Sequence, residues 1–469
     1  MNTPASRVAA VALALVLASL PATAQTGHVL NGVGPIDQGL SGAGMAHPQD
    51  ALTALHWNPA SLFAIPGKSL DFSLQVMKPT GTLSSSVETG AFGMVPNPVG
   101  GMMPFPWTDL EGKTDSDAGL FPIPSVGYLH STPGSRFAFG LSAFGVGGFG
   151  VDYALSPMDM MAGQLPENPL VSPQQADGGI GFGALSSTFM LLQVSPTVAF
   201  RLTDDLSVGF APTFNMASLE LSVFPGTAPQ MFPNPIDPSG TSMLALYPDA
   251  PAAWATGLGF QAGLHYVNPA GFSAGVSYKS RQAFQEFAFE PTTPGAADYE
   301  FRMDYPMILS GAVAFTGIDG LLLAADVRYI DFENAPGFDK SGFGMQGQVL
   351  GFGWKSITVV ALGAQYEVLP GLPVRFGYSM NGSPIEDDAA FFNTPAPAII
   401  EQHVSGGFSY DLTEKISLGL AAQIGLANDI SGAWKTINPA NGATISIPET
   451  GITNELSTLT VIGGVHVRL

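Results

Sequence analysis

The stretch Ile416-Ser417-Leu418-Gly419-Leu420-Ala421-Ala422-Gln423-Ile424-Gly425-Leu426 decides the fold. Every second residue from Ile416 is apolar, and the residues between are small or polar. A period of two sends alternate side chains to opposite faces of a β-strand, so one face is greasy throughout and the other is not. Val404, Gly406, Phe408 and Tyr410 alternate in the same way with Ser405, Gly407, Ser409 and Asp411, and the tight turn Leu412-Thr413-Glu414-Lys415 joins the two stretches. In a soluble sandwich the greasy face points inward. Here the second face carries too little charge to meet bulk water, so it reads as a lumen wall and the greasy face as one that meets lipid.

Composition agrees with that reading. The 469 residues are 46% hydrophobic and only 11% charged, with 57 Gly and 39 Pro, whereas a water-facing surface needs roughly a quarter of its residues charged. Mean hydropathy is +0.25, yet past residue 20 no run of about 18 apolar residues occurs, the minimum for a spanning helix. Both an ordinary soluble protein and a helical membrane protein are therefore disfavoured. A transmembrane β-barrel is the class that is apolar on average without apolar runs. The net charge of −21 argues against general attraction to nucleic acid or anionic headgroups. Arg7, an apolar stretch from Val8 to Leu20 and the small-residue site Ala22-Thr23-Ala24 read as a secretory leader over 1–24. The absence of cysteine fits an exported chain that needs no staples.

Short turns can be counted along the chain: Ser131–Gly134, Leu202–Asp205, Asn268–Gly271, Gly317–Gly320, Leu369–Leu372 and Leu412–Lys415. Each is rich in turn formers and flanked by alternating stretches. Spacings of roughly 40 to 70 residues leave room for two strands and one long loop. Six short turns separate seven strand pairs, which predicts an all-β, antiparallel barrel of 14 strands over 69–469, with both termini on the periplasmic side and seven long loops outside. The first strand is expected at about Ser69–Val76. The last alternates from Leu459 to Leu469, so the chain ends in the wall, as signals for the barrel-assembly machinery do.

Residues 25–68 do not alternate and supply no strand. They contain Gly39-Leu40-Ser41-Gly42-Ala43-Gly44-Met45-Ala46, then Asp50-Ala51, then Asn58-Pro59-Ala60-Ser61-Leu62. This pattern closely resembles the amino-terminal hatch of the FadL/TodX family, outer-membrane transporters of long-chain fatty acids and aromatic hydrocarbons. Asp204–Gly209, Trp254–Gly263, Gly275-Val276-Ser277-Tyr278-Lys279-Ser280, Asp326 and Arg375–Tyr378 continue the resemblance in order, with Lys279 where the family more usually has Arg. The resemblance implies a hatch folded inside the barrel, with Gly39, Gly42, Gly44, Asp50, Asn58, Pro59 and Ala60 as its anchors; Asn58-Pro59 read alone is a plain turn.

Gly145-Val146-Gly147-Gly148-Phe149-Gly150 has the spacing of a dinucleotide fingerprint, but no helical pattern follows it, and Val151-Asp152-Tyr153 reads as the start of a loop. In the resembling transporters the third strand is kinked and opens the wall sideways. Gly145, Gly147, Gly148 and Gly150 are thus expected to form that kink or, on the bland reading, a flexible strand end. The outer loops carry Phe92, Met94, Met102, Met103, Phe105 and Trp107, then Met158, Met160 and Met161, then Met231, Phe232, Met243, Leu244 and Leu246. Such clusters either capture a greasy ligand or pack on one another as a cap. Arg328 and Arg375 fall on the polar face, where they hold a ligand carboxylate or make wall salt bridges. Glu386, Asp387 and Asp388 form a loop cluster that binds a divalent ion or is simply solvated.

No nucleophile elbow or metal-ligand spacing points to an enzyme. The expected function is passive carriage of a fatty acid, alkane or aromatic hydrocarbon across the outer membrane of a Gram-negative bacterium. No cofactor, metal or ATP is implied. The barrel is expected to be a monomer in contact with outer-membrane lipid and lipopolysaccharide, without nucleic acid. A general diffusion porin and a structural or adhesive surface barrel are the alternatives.

Overall fold

The computed structural model describes residues 26–97, 100–159, 163–222, 228–234, 243–293 and 295–469; the expected leader lies outside them. Fourteen antiparallel strands run round a closed barrel. They are β1 (Gly67–Val87), β2 (Phe121–Ser131), β3 (Phe137–Tyr153), β4 (Leu185–Arg201), β5 (Leu206–Ser222), β6 (Ala253–Asn268) and β7 (Phe272–Lys279), followed by β8 (Met307–Ile318), β9 (Leu321–Asp331), β10 (Ile357–Leu369), β11 (Leu372–Asn381), β12 (Gln402–Asp411), β13 (Ile416–Gly432) and β14 (Thr450–Arg468). Each strand pairs with its chain neighbours, and β1 meets β14 from Ser69↔Arg468 to Val87↔Thr450, which removes the last free edge. The six short turns join the hairpins where the sequence placed them.

Alternation sorts the two faces as read. On β13, Leu418, Leu420 and Ile424 are exposed on the outside, while Ser417 and Gln423 are buried in the lumen. Two expectations need correction. β1 is far longer than 69–76, because its upper half has partners on both sides, β14 and the short strand Leu110–Asp115. Val151–Tyr153 belong to β3, since β4 pairs with it as far as Leu185↔Tyr153.

The N-terminal segment lies inside the ring. It forms α1 (Gly34–Gly39), α2 (Ala51–Trp57) and a 3-10 turn over Pro59–Ala64. Pro35 sits in the first turn of α1, where a missing N–H costs nothing. Asp50 caps α2 by accepting from Thr53 N–H at 2.8 Å. Asn58 ends α2 and starts the next turn, its Oδ1 accepting from Ala60 N–H at 3.0 Å.

Directly opposed glycines in the wall receive this segment. Gly209↔Gly263, Gly363↔Gly377 and Gly419↔Gly464 are cross-strand pairs. A β-carbon on Gly209 would overlap the Pro59–Ala60 peptide, one on Gly263 would overlap Asn58 Oδ1, one on Gly377 would overlap the Leu40–Ser41 peptide, and one on Gly464 would lie 2.8 Å from Pro35 Cδ. Lumen-facing glycines thus let backbone rest on backbone. Gly377→Ala is expected to cost about 1–3 kcal/mol of segment docking through overpacking, seen as higher planar-bilayer conductance and faster chymotryptic cleavage within 26–66, which carries Leu, Trp and Phe but no Lys or Arg. Gly463→Ala, whose β-carbon meets nothing within 4 Å, should leave both unchanged.

Candidate functional site

Among the described residues, the longest stretch over which two neighbouring strands part and meet again lies between β2 and β3; a shorter lapse lies between β4 and β5, at Ser195–Thr197 and Ala211–Thr213. The β2–β3 ladder runs from Ser131↔Ala138 to Ser125↔Phe144 and stops. The two sides next touch where Asp117 N–H donates to Asp152 O at 2.8 Å, so residues 118–124 and 145–151 face each other unpaired. On β3 the register against β4 slips between Gly145 and Gly147, a bulge at Val146. The four glycines singled out in the sequence therefore lie along the breach. The β2 side was missed. Phe121-Pro122-Ile123-Pro124 continues its ladder to β1 without interruption, but proline has no N–H to give, and two at alternate positions deny donors to one edge. A proline pair in a strand is a signal that the sequence offered.

The N-terminal segment backs this breach. Leu30 N–H donates to Val146 O at 3.2 Å, and Gly148 N–H donates to His28 O at 3.1 Å. Residues 28–30 thus supply β3 with partners that β2 does not, which matters where there is no water. Behind them lies an aromatic chamber. The His28 ring stacks on Phe338 (centroids 4.9 Å apart, 7° between planes) and lies within 5.3–5.8 Å of Tyr305, Phe332, Phe189 and Trp354. Both His28 ring nitrogens lack a hydrogen-bond partner among the described residues. Burial pushes the imidazole down to about 3, so it sits there neutral. No sequence signal marked His28, since its chamber comes from residues scattered over more than 150 positions.

The expected hatch anchors hold the segment to itself and to the wall. Asn58 Nδ2 donates to Leu264 O at 2.9 Å, and Ser207 Oγ donates to Ala60 O at 2.8 Å beside Pro59. Gly39 lies against the Arg375 side chain, Gly42 against Asn31 O, and Gly44 against Asp37 and Thr53. At the centre is Asp37, also missed, which accepts from Trp57 Nε1 at 2.7 Å and Val33 N–H at 3.1 Å. Burial pushes its carboxyl up to about 7, against the pull of Arg328.

Both arginines have partners in the segment or the wall. Arg328 donates to Gly42 O and to Asp326 Oδ2 (3.0 Å), with its guanidinium 3.8 Å over the Trp57 ring. Arg375 donates to Ser409 Oγ at 2.7 Å and reaches Gln49 Oε1 at 3.5 Å, beside a cavity of about 230 Å³ on the periplasmic side that Asp50, Asp71 and Asp411 also line. Buried cations need partners, and the segment and wall supply them. The buried cation nearer the chamber is Lys279. It donates to Gln193 Oε1 at 3.3 Å, lies 6.0 Å from the Tyr305 ring centroid, and has no carboxylate at ion-pair distance among the described residues.

The outer loops divide between the two roles read for them. Met102, Trp107, Met231 and Phe232 are exposed. Phe92 packs on Phe105 and Trp434, and Met103, Phe105 and Met158 are half-buried. Met160 and Met161 lie outside the described residues. The loop acids are tied up in part: Asp388 pairs with Lys435, and Glu386 lies 3.6 Å from Lys355.

Comparison with known proteins places the geometry. No curated protein matches the chain significantly by sequence. Among solved structures, the chain is similar to the P. putida toluene transporter TodX (17% identity, TM-score 0.63, covering 94% of this chain and 99% of that one) and to a Pseudomonas aeruginosa FadL homologue (14%, 0.66, 94% and 100%). It is similar as well to the Ralstonia pickettii toluene transporter TbuX (18%, 0.60, 94% and 99%). At these identities the likeness speaks for the fold. The family described as outer membrane protein transport protein (OMPP1/FadL/TodX) matches residues 178–432, more than half of the chain. With its closed 14-strand barrel, the chain is therefore an outer-membrane transport barrel that belongs to the OMPP1/FadL/TodX family.

Proposed function

We propose that this barrel carries hydrophobic small molecules inward by passive diffusion, and that residues 26–66 act as its hatch. Cargo collects on the exposed Met and aromatic side chains of the outer loops and enters the aromatic chamber as His28 leaves it. It passes sideways through the β2–β3 breach into the bilayer. The observation that carries this reading is the breach itself, backed by an apolar chamber that the His28 ring fills. A wall open to water gains nothing from a lateral gap lined by Phe121, Ile123 and glycines, whereas a greasy cargo moves through it without meeting water. A porin is disfavoured because the segment rests against the wall on all sides of the lumen. The similar solved structures include toluene transporters and a FadL homologue, which supports an apolar cargo. Where the cargo carries a carboxylate, Lys279 is the cation to meet it. The same reading has the barrel inserted as a monomer by the assembly machinery, its apolar face against lipid and lipopolysaccharide.

In a host deleted for its own hydrophobe transporters, expression should raise uptake of oleate, hexadecane or toluene above the empty vector; equality for all three would sink the proposal. Lys279→Gln should slow oleate about tenfold, the scale of one charged hydrogen bond, and leave hexadecane unaffected.

His28 gives a pH dependence. Its folded pKa lies below the ordinary 6.5, so its contribution to holding the segment in place is full above pH 6.5 and is lost as pH falls toward 3. Between pH 6.5 and 5 the loss is about 2 kcal/mol. Amide protection factors at residues 28–30, taken against the intrinsic exchange rate at each pH, should fall over that range in the wild type, and His28→Phe should abolish that fall.

A further inference from the structure

We propose that Phe121 and Ile123 are the shutter of the β2–β3 breach and set the size of molecule that leaves through it. This rests on the lateral-exit reading above. Along β2, Ser125, Gly127 and Leu129 are buried on the lumen side, while Pro122, Pro124 and Val126 face outward; Phe121 and Ile123 extend the inner row. Along β3, Phe137, Phe139 and Leu141 are exposed on the lipid side, and Gly145 extends that outer row. Yet a β-carbon on Gly145 would overlap Ile123 Cγ2, and one on Gly150 would lie 2.6 Å from Phe121 Cζ. Inner-row side chains of β2 thus touch outer-row positions of β3. This is possible only if β3 has stepped inward behind β2, so that the two strands overlap like sliding doors.

What fills the overlap is two side chains seated where β3 has none. Backbone pairing cannot do it, because Pro122 and Pro124 offer no N–H and the β3 groups are engaged with residues 28–30. The distinction has a kinetic consequence. Parting a ladder in an apolar medium forfeits several kcal/mol per hydrogen bond, whereas a side chain that its neighbours leave free changes rotamer within about picoseconds to nanoseconds. The breach therefore opens by side-chain movement with the backbone in place. Its width is the space that Phe121 and Ile123 vacate.

The chain has no cysteine, so a single engineered disulfide can lock the shutter. The β-carbon of Ile123 lies 3.7 Å from the one built on Gly145, matching the mean of about 3.8 Å in natural disulfides. Ile123→Cys with Gly145→Cys should lose uptake of whichever of oleate, hexadecane or toluene the wild type carries, down to the vector level once oxidised. Reduction should restore it, and purified oxidised protein should still bind the same probe. The Phe121→Ala, Ile123→Ala pair should raise uptake several-fold and admit a bulkier probe such as pyrene that the wild type excludes. Should the double alanine variant fail to fold, the disulfide arm decides alone, with its reduced form as the control for folding. Wild-type uptake by the fully oxidised pair would overturn the shutter and send the cargo out past the hatch instead. No uptake by the wild type would sink the transport reading, and the shutter with it.

Discussion

A backbone N–H or C=O at membrane depth must find its partner within the protein, because hydrocarbon offers none. Closing the ring through β1 and β14 meets that demand for most of the wall. At residues 118–124 and 145–151 the wall does not meet it, since β2 brings prolines and β3 brings a bulge. Partners for Val146 and Gly148 come from His28 and Leu30, which lie on the lumen side in the N-terminal segment. One constraint therefore fixes the breach, ties the N-terminal segment to it and leaves the imidazole of His28 in the aromatic chamber behind.

The segment is held by close approach more than by charge. Three opposed glycine pairs remove the wall's side chains where Pro35, Leu40 and the Asn58–Ala60 peptide come to rest. The charged contacts sit between these seats. Arg328 lies over Trp57 and binds Gly42 O, and Asp37 gathers Trp57 and Val33. A docking made of flat backbone contacts is broad but shallow. His28, buried in its chamber, is one end of that arrangement.

Much of this was written locally. Period-two alternation, the six turns and the Gly/Ala-rich opening follow from neighbours along the chain, and the structure agrees on the strand count, the turn positions and the outward face. The glycines of β3 were legible as a weakness in a strand. Pro122 and Pro124, two prolines at alternate positions of one strand, carry the same message in the sequence. Arg328 and Arg375 show the limit: their place on the polar face was readable, whereas their engagement by the segment was not, since Gly42, Asp37 and Gln49 lie hundreds of positions away in sequence.

The sequence by itself determined the class of fold, the strand number and which face meets lipid, because those depend on side-chain alternation and turn chemistry within a few residues. Only the tertiary structure decided which glycines oppose each other, where β3 steps behind β2, and that His28, Phe189, Tyr305, Phe332, Phe338 and Trp354 share one chamber. Those facts are matters of register and of how a closed ring brings distant strands face to face. A shift of one residue in any ladder would turn each of those side chains to the opposite face.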